Sequence, residues 1–382
     1  MNNSNHPRFA RSLALVVCSS IAYTAHAQDA AAFLKDWSFS GHYDIYYQID
    51  GNKSPVGQNV NLRQFDVAGD QFGLATLQFN AIKKATTENP FGITLNFAFG
   101  NNANLLNVNE PGGDGLKNIQ QAFVTYALPK SALTVDLGKF LTWIGYEGVV
   151  SADNDNYSRS FLFTLGEPVY HVGARATYAA TKALTLNAYG VNGWNEAQDS
   201  NGGKSYGATA AFTPNAKTSL TANYYGGNEG SNHVSGIGFL ATPTTGFQGI
   251  SNVQLGDFIG TYQFNDKIKF AINADYADAK GMSGSDPSGH WSGLAAYIRD
   301  QINAKYGVTV RAETFDDTNG LRSGTSAHLS SITGTFDIAG PGTSLLRFEV
   351  RYDKASASVF NADNGTTKDN RVTYGISHVL RF

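Results

Sequence analysis

Charged residues recur at a spacing of two towards the end of the chain: Arg347, Glu349 and Arg351, with Arg311 and Glu313 some way before them. In an extended chain, residues two apart share a face, so these positions form columns of alternating sign. Such a column supports two kinds of chemistry. It can pair across neighbouring strands and stiffen a wall, or it can show charge to a water-filled space and select what passes. Arg175 stands on another segment of the same kind, and the long segment 143–169 carries Glu147, Asp153, Asp155 and Arg159. Acids on that segment facing arginines on a wall would set up a transverse field favouring polar, dipolar solutes over apolar ones.

Covalent chemistry has less support. The chain holds no Gly-x-Ser-x-Gly elbow, no His-Glu-x-x-His, no phosphate-binding glycine loop and no paired metal histidines. Asp153-Asn154-Asp155-Asn156 begins like a calcium loop, but Tyr157 and Ser158 fall where a third ligand and the turn glycine belong. His171 and Asp136 could serve a hydrolytic serine, although a solvated His171 is the plainer reading. Tyr46, Tyr189 and Tyr225 could stack sugars, but they stand on well-separated segments. No cofactor, metal or catalytic residue is expected. A formal charge of −3, spread along the chain, gives no basic face for nucleic acid.

The elements that must carry these charges are strands. Trp37-Phe39-Gly41-Tyr43-Ile45-Tyr47 alternates with Ser38-Ser40-His42-Asp44-Tyr46-Gln48, and Leu346-Phe348-Val350-Tyr352 alternates with Arg347-Glu349-Arg351-Asp353. Each segment has one apolar and one polar face, a pattern that no helix produces. The periodicity predicts strands over 37–48, 72–82, 91–99, 119–128, 132–142, 170–179, 183–192, 204–213, 217–226, 254–264, 267–277, 290–299, 305–315, 328–338, 344–353 and 371–382.

Between them, brief connections with turn residues (Pro129, Pro214-Asn215, Asn265-Asp266, Gly340-Pro341-Gly342) alternate throughout with long ones rich in Gly, Asn, Asp and Ser. That alternation predicts an all-β, transmembrane up-and-down antiparallel barrel of about 16 strands, with short periplasmic turns and long extracellular loops. Fourteen or eighteen strands would follow if a weak segment such as 290–299 were misread. Loops 49–71 and 227–253 read as solvated. Tyr126, Tyr178, Phe212, Phe264 and Tyr306 near the short turns, and Tyr47, Phe99, Tyr276 and Tyr352 near the long loops, suggest two aromatic girdles. Composition agrees, with 41 glycines, 12% aromatics, 42% hydrophobic residues and mean hydropathy −0.25. No window reaches the 18 or so apolar residues of a spanning helix. Lys139 conflicts with the pattern: alternation puts it on the lipid face, which a bulge at Gly138 or snorkelling would resolve.

The ends carry export signals. Residues 1–27 read as a cleaved signal peptide, with Arg8 and Arg11, an apolar stretch and Ala25-His26-Ala27 before Gln28. Cleavage takes the formal charge to −5 and removes Cys18, the single cysteine. Segment 28–36 would be a short periplasmic lead, too short to plug a barrel, and 37–382 the barrel itself. In the last strand Val372, Tyr374, Ile376, Leu380 and Phe382 share a face, with His378 as a departure. Tyr374, Leu380 and Phe382 resemble the signal read by the outer-membrane assembly machinery.

Several segments resemble the OmpL-like β-barrel porin family. They are Phe39-Ser40-Gly41-His42-Tyr43-Asp44, Asn89-Pro90-Phe91-Gly92, Gln120 to Tyr126, Leu133 to Phe140, Gly145-Tyr146-Glu147, Asp153-Asn154, Asn156 to Ser160, Tyr170 to Arg175 and Val191-Asn192-Gly193-Trp194. The likeness runs over 39–213. Val150 and Asp155 depart from it, since the family often has an acid and an aromatic there. The resemblance implies a porin of the bacterial outer membrane, passing small polar solutes by diffusion through a barrel too wide to be filled by its own side chains. Its surroundings would be outer-membrane lipid and lipopolysaccharide, and porins of this size often form homotrimers. The alternatives are a solute-specific channel, for sugars for example, and a receptor or adhesin working through its outer loops. By analogy with general porins, loop 143–169 is the candidate constriction.

Overall fold

In the computed structural model, residues 34, 36–54, 60–107, 114–199, 201–229, 250–281 and 288–382 are described. Alternation of apolar and polar residues dictates the elements. The strands are β1 (Trp37–Asp50), β2 (Gln71–Lys83), β3 (Phe91–Phe99), β4 (Ile119–Ala127), β5 (Leu133–Leu141), β6 (Tyr170–Ala179), β7 (Leu184–Val191), β8 (Ser205–Asn215) and β9 (Thr218–Gly227). They continue with β10 (Ile250–Gln263), β11 (Ile268–Gly281), β12 (Gly289–Asp300), β13 (Tyr306–Asp317), β14 (Ala327–Ala339) and β15 (Ser344–Ala355). A two-residue ribbon follows, β16 (Phe360–Asn361) with β17 (Thr367–Lys368), and then β18 (Asn370–Arg381).

Every strand but the ribbon pairs antiparallel with its sequence neighbours, and β18 returns to β1, closing a sixteen-strand barrel. The segment that could have altered the strand count, 290–299, is β12, paired on both sides. Closure leaves no unpaired edge, which lets strands stand in lipid. No helix among the described residues is long and apolar enough to cross a membrane.

The two faces are reversed relative to a water-soluble protein. Phe72, Phe79, Leu137, Tyr178, Phe212, Phe264, Ile298, Ile332, Val350 and Tyr374 are exposed on the outer face, while Asp44, Asp257, Thr309, Arg311, Asp353 and Arg371 are buried inside. Tyr126, Phe99, Tyr276 and Tyr352 are also exposed, whereas Tyr47 and Tyr306 are half-buried. Strand boundaries shift most where β10 and β11 run outward to Ile250 and Gly281, pairing Val253 with Ala279 and Gln254 with Asp278. Beyond the hydrocarbon layer a ladder no longer needs apolar side chains, so polar residues there do not mark its end.

Lys139 is resolved in a third way. Pairing runs unbroken from Leu137 to Lys139 on both sides, so there is no bulge. The ammonium lies over the Tyr170 ring (4.2 Å) and donates to Asn107 Oδ1 at 2.7 Å. Asn107 ends a six-residue helix, Asn101–Leu106, in loop 100–118. The outer loop covers the charge.

Candidate functional site: the lumen and its inserted loop

Irregular backbone inside a barrel brings bare N–H and C=O groups that must find partners. Loop 143–169 lies against the inward faces of β10–β15, β18 and β1, and the charged columns supply those partners. Glu349 accepts from the N–H groups of Tyr157 (2.7 Å) and Ser158 (3.0 Å), and Glu313 from that of Phe161 (2.5 Å). Arg347 donates to the carbonyls of Ser151 and Asn154, both at 2.6 Å, and Arg351 to that of Arg159 at 2.5 Å. Arg311 donates to the Ser158 carbonyl at 2.6 Å. Asp44 accepts from Ser151 Oγ at 2.5 Å, and Asn156 donates to Thr335 at 2.7 Å. Each arginine serves loop carbonyls and each glutamate loop amides, which gives the alternating signs a physical reason.

This geometry corrects the picture of acids facing arginines across open water. Arg311, Glu313, Arg347, Glu349 and Arg351 all point inward but are covered by the loop. Glu147 meets Arg311 at 2.7 Å with both buried, and Glu313 lies 3.4 Å from Arg311 and 3.5 Å from Arg351. Pairing between neighbouring wall charges is present, and the loop rather than open water takes the remaining contacts of these residues. Arg159 faces no solute: it is buried, donates to the carbonyls of Gly148, Val149 and Tyr157, and lies 5.0 Å from the Phe65 ring. Asp155 binds Lys269 at 2.8 Å and Tyr146 Oη at 2.5 Å, while Asp153 reaches Arg381. The Asp153–Asn156 stretch thus forms no calcium loop.

His171 is buried rather than solvated, hydrogen-bonded to Gly193 O (3.0 Å) and Thr142 Oγ1 (3.2 Å). Asp136 serves Arg175 (2.6 Å) and Thr125. Tyr189 and Tyr225 converge on Trp143, which stacks on Tyr189 at 3.8 Å, while Tyr46 packs apart with Tyr157. All three tyrosines are buried, which removes a stacking track. Loop 49–71, read as solvated, also turns inward over its described part: Arg63 is buried against Asp66 (2.8 Å) and Asp353 (3.0 Å). Most of loop 227–253 and the segment 1–33 lie outside the described residues. In the last strand Tyr374, Leu380 and Phe382 face outward, with Phe382 5.9 Å from Phe79.

On β3–β10 the loop's contacts include those of Trp143 with β7 and β9 and of Gly145 with β10, and Thr94, Gln121, Phe123, Thr125, Thr177, Asn187, Thr221 and Thr261 are half-buried inward positions. Three ion pairs of the interior, one joining β5 and β6, one joining the loop to β11 and one joining β12 and β14, have the cation as the more exposed partner. The side-chain exposures are 28% for Arg175 against 8% for Asp136, 30% for Lys269 against 8% for Asp155, and 20% for Arg299 against 3% for Asp337. Lys269 and Arg299 escaped the sequence reading although alternation places both inward. Glu167, Asp257 and Asp275 also escaped it, and no local motif joins them.

A closed sixteen-strand barrel with an apolar exterior, a charged interior and a loop folded into that interior is the build of an outer-membrane porin channel. A sequence profile for the family described as putative beta-barrel porin-2, OmpL-like, matches residues 36–382, and the chain belongs to that family. Among solved structures, the fold is similar to an anion-selective porin from Comamonas acidovorans (9% identity, TM-score 0.60, covering 91% of this chain and 99% of that one). It is also similar to OmpT of Vibrio cholerae (9%, 0.58, 91% and 97%) and to the outer membrane channel DcaP of Acinetobacter baumannii (12%, 0.54, 90% and 97%). No curated protein matches the chain significantly.

Proposed function

We propose that the barrel passes small hydrophilic solutes by diffusion between loop 143–169 and the β3–β10 wall, with a mild preference for anions. The observation that carries the preference is the unequal exposure of the partners in these three ion pairs. In each the cation is the more exposed partner and the carboxylate is buried, so on this reading an ion in transit meets the positive partner first. Passage of this kind needs no catalysis. We extend the reading to a chain exported through removal of residues 1–27, seated in outer-membrane lipid beside lipopolysaccharide by the assembly machinery, and assembled as a homotrimer. A trimer form is described for OmpT of Vibrio cholerae.

The test is single-channel recording in a planar bilayer, with reversal potentials in a potassium chloride gradient. Large, steady steps with a reversal potential on the chloride side are expected, moving towards zero in Arg175→Gln and Lys269→Gln. A correctly folded but silent barrel would overturn the diffusion reading in favour of a receptor or adhesin. Cation preference in the wild type would overturn the electrostatic one.

A further inference from the structure

Three carboxylates that the loop's contacts leave unexplained meet where loop 143–169 joins the wall. Glu167 lies on the loop's second stem, Asp257 on β10 and Asp275 on β11. All are buried, and one oxygen from each lies within 4.8 Å of the other two. Asp257 is satisfied by Asn223 (2.6 Å), the Gly145 N–H (3.3 Å) and Asn273 (2.5 Å). Asp275 accepts from Asn273 at 3.1 Å through one oxygen, and its other oxygen has no N–H or hydroxyl donor on it and faces the neighbouring carboxyls. Both oxygens of Glu167 are buried with no N–H or hydroxyl donor on them, and the group that faces them within the cluster is the Asp275 carboxyl. Buried carboxylates need a proton or a cation to offset lost hydration.

We propose that Glu167, Asp257 and Asp275 hold a calcium ion that pins both stems of loop 143–169 to the barrel wall. Oxygens bound to one calcium at about 2.3–2.6 Å can be no more than about 5 Å apart, and these three meet that limit. Three anionic oxygens and no sulfur or imidazole select a hard cation. Magnesium keeps its waters and demands near-octahedral order, so a buried carboxylate cluster suits calcium better. The first stem reaches the same point. Gly145 and Tyr146 give their N–H groups to Asp257 and Asn273, and a Cβ on Gly145 would fall 1.8 Å from Glu167 Oε2. Gly145 also has φ +91°, so no side chain is accommodated between the stems. The site deepens the reading of this loop as a constriction, and its binding is measured separately from conductance.

The experiment uses the full chain refolded in detergent without lipopolysaccharide and stripped with EGTA. Calcium is titrated calorimetrically, and terbium luminescence is excited through Trp291, whose Nε1 donates to the Gly166 carbonyl at 3.2 Å beside Glu167. One calcium per chain, displacement of terbium by calcium and a rise in melting temperature are expected. Glu167→Gln and Asp275→Asn should each weaken binding at least about tenfold, since ligand charge sets calcium affinity. Recovery of the folded electrophoretic band reports folding, and the loop variant Glu167→Gln carries the test if Asp275→Asn does not fold. No saturable calcium or terbium binding by the folded wild type, or binding undiminished in the double variant, overturns the proposal. If the wild type ignores calcium while Glu167→Gln melts higher in EGTA, shared protons hold the cluster and the proposal also fails. Calcium binding without any change in conductance supports the site and removes the loop from the constriction.

Discussion

Replacing Arg311 by methionine should release loop 143–169 from its wall. The guanidinium is fully buried and meets Glu147 (2.7 Å), the Ser158 carbonyl (2.6 Å), Thr333 Oγ1 (3.2 Å) and Glu313 (3.4 Å). Methionine keeps most of the volume but leaves Glu147 and Glu313 buried without this counter-ion. Removing one partner of a buried pair costs about 3–5 kcal/mol, far more than an exposed pair would. At 1.4 kcal/mol per decade, the middle of that range is roughly a thousandfold in the equilibrium between pinned and released loop. The barrel ladder does not depend on Arg311, so the strands should stay closed while the loop moves. Two assays separate these outcomes: urea unfolding followed by tryptophan fluorescence, and single-channel conductance, which should rise and become noisy.

Adding Glu147→Gln and Glu313→Gln to Arg311→Met should recover most of the lost stability, because neutral groups replace stranded charges. A loss below about 1 kcal/mol in Arg311→Met, with conductance unchanged, would refute the claim that this arginine holds the loop.

Further outcomes follow from the same contacts. Asp155→Lys removes the partner of Lys269 and adds a cation beside the passage, so the reversal potential should move further towards chloride, and an unchanged value would take Asp155 out of the path. Trp143→Ala removes the ring stacked on Tyr189 and should cost about 3 kcal/mol while raising conductance, both read in the same two assays. Phe382→Ala loses an edge contact with Phe79 worth about 1 kcal/mol. It should reduce the yield of folded, heat-modifiable barrel in membranes by more than that figure implies, because the same ring belongs to the expected assembly signal.

The barrel was legible in the chain because its determinants are local. A strand in lipid must be apolar on every second residue, as Leu346-Phe348-Val350-Tyr352 and Tyr374-Ile376 are, and every connection must keep to one side. Alternation alone therefore placed Arg311, Arg347 and Arg351 inside, and it would have placed Lys269 and Arg299 there too. What those charges do was decided only by tertiary structure. The arginine and glutamate columns point into the lumen whether they meet water or a loop, and the sequence of β15 is the same in both cases. Loop 143–169 covers them because its backbone amides and carbonyls need partners that the wall presents at matching positions. The Glu167, Asp257 and Asp275 cluster is the extreme case. Its members come from one loop and from two neighbouring strands 90 and 108 residues further along the chain, and only closure of the barrel around the folded loop brings three carboxylates of no shared motif within 4.8 Å.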